Sequence, residues 1–222
     1  MTADTSTCPP RADRVTKSLL GYGVIAGPVY VVSVAAQMVT RDGYDPTRHV
    51  ASQLANGDLG WIQIATFLVA GAMTIAAAVG IRRALGNGWS SAWASALVGL
   101  YGAGLVVAGI FRADPSDGFP PGTPAGLGEP TTSGMLHFAV AGIGFICLVA
   151  ACCVLGVRFG RAGDRIFARF SLITGAVFAG SFVAMASGGA GVGGILLFTA
   201  AVVLAWAWLT ALSLKLYKAV GV

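Results

Sequence analysis

Apolar and polar positions fall in long blocks along this chain. Charge-free windows cover residues 18–40, 59–81, 84–111, 130–157 and 170–214. A helix needs about 20 apolar residues to cross about 30 Å of hydrocarbon. The first four windows hold one span each. The fifth is 45 residues long and as one helix would run about 68 Å, so it must fold back. The break is predicted at Ser187-Gly188-Gly189-Ala190-Gly191-Val192-Gly193-Gly194. Six transmembrane helices follow, near 18–39, 61–81, 91–111, 134–156, 167–187 and 194–214. The expected fold is all-α, an integral membrane bundle of six helices. Residues 1–17 are expected as a disordered cytoplasmic N-terminus, 18–216 as the transmembrane domain and 217–222 as a cytoplasmic tail.

Composition supports this. Of 222 residues, 56% are hydrophobic and 10% charged, with mean hydropathy +0.78. Soluble domains carry about 25% charged residues, so a soluble enzyme, a disordered chain and a disulfide-stapled module are excluded. Arg11, Arg14 and Lys17 before an apolar stretch and Ser33-Val34-Ala35 resemble a signal peptide. The 23-residue window is longer than a signal core, so an uncleaved first helix is expected.

The net charge of +5 reports orientation, not nucleic-acid binding. With the N-terminus inside, eleven Lys and Arg fall inside and three, Arg41, Arg48 and Arg112, outside. That bias puts both termini in the cytoplasm. Gly and Ala richness suggests a high-GC bacterial source, hence a bacterial cytoplasmic membrane. Small residues four apart, Gly23/Gly27, Ala72/Ala76/Gly80, Ser95/Gly99/Ala103 and Ala176/Gly180, are expected to pack helix on helix. Cys147, Cys152 and Cys153 share one apolar run and suit buried thiols; with Cys8 they form no C-x-x-C pair.

Two longer loops are expected on the outer side. In 40–60, Asp45-Pro46 reads as a helix start and Asn56-Gly57 as a stop, predicting a short interfacial helix over 46–55. The loop 112–133 is rich in Pro and Gly. It ends at Thr132-Ser133, a helix N-cap that sets His137 in the first turns of the fourth span.

Asp45, His49, Ser52 and Leu54 (D-x-x-x-H-x-x-S-x-L), Phe111, Asp114 and Pro115 (F-x-x-D-P), and Ser133, Gly134 and His137 (S-G-x-x-H) resemble the DUF998 family of prokaryotic membrane proteins. The resemblance implies six helices and an outward polar cluster. It implies no activity.

Arg112, Asp114, His137, Asp45 and His49 are therefore the candidate binding cluster, with His137, Asp114 and Ser52 the catalytic candidates. In a lipid- or isoprenoid-directed enzyme, His137 would be the acid or base, oriented by Asp114. Arg112 would hold a headgroup, and Ser52 or Ser133 would be the nucleophile. Neither serine lies in a G-x-S-x-G elbow. A metal at His49, His137 and Asp114 or Asp117 lacks a helical His pair. No metal or cofactor is expected. A transporter would need mid-membrane charge, which the windows lack. A lipid-binding or scaffolding protein is the third class. The expected partners are membrane lipids, not nucleic acid, with a membrane-protein partner or homo-oligomer left open. Each residue also has a plainer role. Asp114 would cap a loop, Arg112 snorkel, His137 bond a loop carbonyl, Asp45 cap a helix, and His49 sit solvated.

Overall fold

The computed structural model describes residues 10–187 and 191–221. Six helices are present: α1 (Arg11–Thr40), α2 (Gly60–Leu85), α3 (Trp89–Ile110), α4 (Thr132–Arg161), α5 (Arg165–Ala186) and α6 (Gly191–Ala219). All six are long and apolar enough to span a membrane, and no strand occurs among the described residues. The chain is thus a multi-pass all-α membrane protein.

The start of the first helix differs from the sequence reading. Helix α1 begins at Arg11, so residues 11–17 form its first turns and are not an unstructured arm. Arg83 on α2 explains the extension. Its guanidinium donates to Thr16 Oγ1 at 2.9 Å and to the Ala12 carbonyl at 3.2 Å. Residues 1–9, with Cys8, lie outside the described residues, as do 188–190 of the expected glycine break. The end of α5 at Ala186 and the start of α6 at Gly191 bracket that break.

Each helix packs on its neighbours in the chain, and α1 closes against α6, so the six form a ring. Close backbone approach makes the closure. A β-carbon on Gly23 would collide with Ser213 of α6, and one on Gly27 would lie 3.0 Å from the Trp206 carbonyl oxygen. Thr210 Oγ1 donates across this seam to the Val24 carbonyl. The other expected stripes fared unevenly. Gly80 abuts Leu19 and Leu20 of α1, but α2 meets α3 through Gly71 against Gly102, not through Ala72. On α5 the expected Ala176/Gly180 pair faces outward; Gly175 packs instead, with Cys152 Cβ 3.1 Å from its β position. Spacing alone does not say which of two small-residue faces meets protein. Cys147 and Cys152 are buried as expected, whereas Cys153 is exposed.

The two ends of the ring differ. At the basic end, Gly86 and Gly88 turn α2 into α3, and Asp164 caps α5 by accepting from the Phe167 N–H at 3.1 Å. Arg158 donates to Ser90 Oγ and to the Leu85 carbonyl, tying α4 to the α2–α3 turn. The opposite end carries the two longer connections, 41–59 and 111–131. A polar seam between α1 and α2 leads to it: Ser33 and Thr66 hydroxyls lie 2.6 Å apart, and Gln37 Nε2 donates to Gln63 Oε1 at 2.8 Å. Hydrogen bonds between helices in lipid contribute about 1 kcal/mol each, so this seam fixes register more than it adds stability.

Candidate functional site

The loop end is a cap made of two interlocked segments. In the first, Asp45 begins a turn, not a helix. Its carboxylate accepts from the Thr47 N–H at 2.8 Å and from the Thr47 hydroxyl at 2.6 Å. These bonds, the hydroxyl's first, hold its carboxyl below the usual carboxylate range. The backbone then extends at Val50 before a single 3-10 helix, Ala51–Ala55. The expected helix over 46–55 is therefore replaced by two shorter pieces. Gln53 Oε1 accepts the Val50 N–H, while its amide nitrogen donates to Ser116 of the other segment. That tertiary bond competes with helical continuation.

His49 is buried at 2% exposure and is not the solvated loop residue expected. Its Nδ1 accepts the Asp45 N–H at 2.9 Å, so Nε2 carries the hydrogen and donates to the Asp117 carbonyl at 3.1 Å. Both nitrogens are spent on joining the segments. Asn56 Nδ2 donates to the Ala113 carbonyl, and Arg41 to the Leu54 and Asn56 carbonyls. At the centre lies Phe119, 1% exposed, with Tyr44, His49 and the Arg41 guanidinium each within about 5.5 Å of its ring centre. Burial pushes the Tyr44 phenol up; its hydroxyl donates to the His49 carbonyl at 2.8 Å. Sequence reading did not place Phe119, Gln53, Asn56 or Arg41 in the candidate cluster. The one available signal was an apolar Phe119 isolated among Pro and Gly.

The second segment is latched to α4. Asp114 accepts from the Thr131 N–H at 3.0 Å and the Thr131 hydroxyl at 2.5 Å. Thr131, one residue before the expected Thr132-Ser133, caps α4 through the Gly134 N–H. Ser133 Oγ donates to the Arg112 carbonyl at 3.0 Å. His137 Nδ1 lies 2.8 Å from the Phe111 carbonyl oxygen and 3.2 Å from that of Ala108. Asp114 therefore serves Thr131 and not His137, and the expected Asp–His pairing is not made. Arg112 is exposed and has no ion pair among the described residues. Asp117 faces Arg48 at 3.9 Å and accepts the Gly126 N–H. No three His, Cys, Asp or Glu side chains converge as metal ligands among the described residues.

Beneath the cap the ring encloses a cavity of about 80 Å³. Val50, Ala51 and Ser52 roof it, and Tyr30, Phe67, Tyr101, Phe145 and Phe198 line its walls. A second cavity of about 90 Å³ shares Tyr30, Ala51, Phe198 and Val202 with it and runs between α1 and α6, past Val34, Ala35 and Val203. Below them, Trp206 stacks on Tyr30 at 4.8 Å and fills the ring interior. Of the six candidates, only His137 and Ser52 reach the cavity. The other four, Asp45, His49, Arg112 and Asp114, belong to the cap.

The chain belongs to the DUF998 family, described as a protein of unknown function, whose family model matches residues 24–215. That match reaches from within α1 to within α6 and takes in both motif-bearing loops. No curated protein and no solved structure matches the chain.

Proposed function

We propose that this protein binds the hydrocarbon chain of a membrane lipid within its helix ring. One observation carries the reading. The apolar cavity under the cap shares Tyr30, Ala51, Phe198 and Val202 with a second cavity between α1 and α6. An engineered cavity of about 150 Å³ lined by aliphatic side chains stays dry and takes up benzene. Two adjoining apolar spaces of about 80 and 90 Å³ suit the end of one alkyl or isoprenoid chain. The solvent beside the α1–α6 seam is itself hydrocarbon, so the chain arrives laterally. The polar residues that suggested an outward headgroup site are engaged in loop-to-loop bonds, which argues for a structural cap over an apolar site.

Native mass spectrometry of gently extracted protein tests this. A stoichiometric lipid adduct is expected, and replacing Ala35 with Trp should displace it. A bare wild-type chain overturns the reading.

A second reading, an enzyme acting on a lipid, is favoured by Ser52 and His137 lining the same cavity. Covalent capture of Ser52 by a lipophilic fluorophosphonate, lost in His137→Gln, would support it. An unlabelled Ser52 would remove it.

A further inference from the structure

We infer that the occupant of this cavity is a neutral amphiphile with a free hydroxyl, such as a long-chain or isoprenoid alcohol, which donates a hydrogen bond to His137 Nε2. The inference rests on the chain-binding reading above and adds the ligand's polar group to it.

The protonation pattern of His137 carries the argument. Its Nδ1 faces two carbonyl oxygens, those of Phe111 at 2.8 Å and Ala108 at 3.2 Å. Carbonyls only accept, so the ring hydrogen lies on Nδ1 and the lone pair on Nε2. His137 is 4% exposed, lines the cavity, and its Nε2 has no hydrogen-bond partner among the described residues. Nε2 is accessible and not sealed in protein, so it can accept from a molecule that occupies the cavity. A ligand that brings an O–H supplies the donor.

The charges decide which ligand. No Asp, Glu, Lys or Arg lines either cavity. A carboxylate or phosphate would enter a site without a cation and face a lone pair on Nε2. Arg41 in the cap lines neither cavity and donates to the Leu54 and Asn56 carbonyls. A plain alkane would fill the space and leave Nε2 unpaired. An alcohol satisfies both demands. Ser52, also on the cavity, supplies a second hydroxyl at the same end.

The test uses the full chain in lipid nanodiscs and four photoactivatable C18 probes: the alcohol, its methyl ether, the carboxylic acid and the alkane. The ether matches the alcohol in shape but donates nothing. The alcohol is expected to be captured on cavity peptides about tenfold more tightly than the other three. His137→Asn retains an N–H for the Phe111 carbonyl and lacks the Nε2 acceptor. It should keep the wild-type melting temperature and bind alcohol no better than alkane. Equal capture of alcohol, ether and alkane by the wild type overturns the inference and leaves chain binding standing, whatever the variant does. An undiminished alcohol preference in His137→Asn also overturns it. Capture of none of the four on cavity peptides overturns chain binding and the inference together.

Discussion

The carboxylate of Asp114 fills the space that a β-carbon on Gly134 would occupy. This places it over the first turn of α4, where it binds Thr131 and reinforces the helix N-cap. The F-x-x-D-P and S-G-x-x-H motifs are the two halves of one latch. The Phe111 carbonyl receives His137, the Arg112 carbonyl receives Ser133, and Asp114 receives Thr131 across the vacancy at Gly134.

Gly134→Ala should therefore lower stability by about 1–3 kcal/mol, the usual cost of overpacking. Asp114→Ala removes the obstacle. The double variant should be no less stable than Asp114→Ala alone, a non-additivity expected of residues in contact. Thermal unfolding in detergent of the four proteins in this cycle measures it, and simple additivity would dissolve the latch.

His49 makes the corresponding test of the cap. Its ring bridges the Asp45 N–H and the Asp117 carbonyl from a buried position. His49→Ala leaves both groups unpaired and should cost about 1–3 kcal/mol. It should also speed proteolysis of the 111–131 loop. Equal cleavage rates in variant and wild type would show that the two segments hold together without it.

The packing face of α5 yields a paired prediction. Gly175→Val should destabilise by about 1–3 kcal/mol because its β position already touches Cys152. Gly180→Val, facing open space, should fall within about 0.5 kcal/mol of wild type. Chemical denaturation in micelles distinguishes them, and a reversed order would mean α5 is rotated.

Acid should weaken the basic end. Asp164 lies 2.5 Å from Lys215 Nζ, and that bond, with the Phe167 N–H, holds its carboxyl below the usual range. A lowered folded-state value means the contribution is complete above the unfolded value of about 3.9. It disappears as pH falls through the folded value. Asp164→Asn should melt below wild type at neutral pH, and the two curves should converge in strong acid. Parallel melting curves across pH would refute the linkage.

Sidedness follows from charge. In a chain cleared of its native cysteines, Leu127→Cys, at an 80%-exposed position of the cap, should react with an impermeant maleimide on intact cells. Ala162→Cys, in the α4–α5 turn, should react only after lysis. The opposite pattern would invert the orientation.

The spans were legible because charge is nearly absent from them, and desolvating a charge in hydrocarbon dominates every weaker preference. Asp114 and His137 were legible as loop-and-cap chemistry because Pro and Gly punctuate the loop between them, whereas the cap of α4 was expected one residue late, at Thr132-Ser133 instead of Thr131. The 46–55 segment was misread because Asp45-Pro46 signals a turn start equally well. The backbone extends at Val50, and Gln53 of the following 3-10 helix bonds Ser116, 63 residues away. Phe119 was invisible for a related reason: its burial depends on Tyr44, His49 and Arg41 arriving from another loop. The cavity was not legible at all, since an unfilled volume leaves no mark on the residues around it.

The ring also has a birth order. Helices α1 to α5 can dock in sequence as the ribosome delivers them, and Gly23 then meets Ala77 of α2, but the sides of Gly23 and Gly27 that receive Ser213 and Trp206 have no counterpart until α6 enters the bilayer. Until then their bare backbone faces acyl chains, so a protein halted before Gly191 would hold an open crescent. The last joint to form during synthesis is the one beside which the second cavity lies.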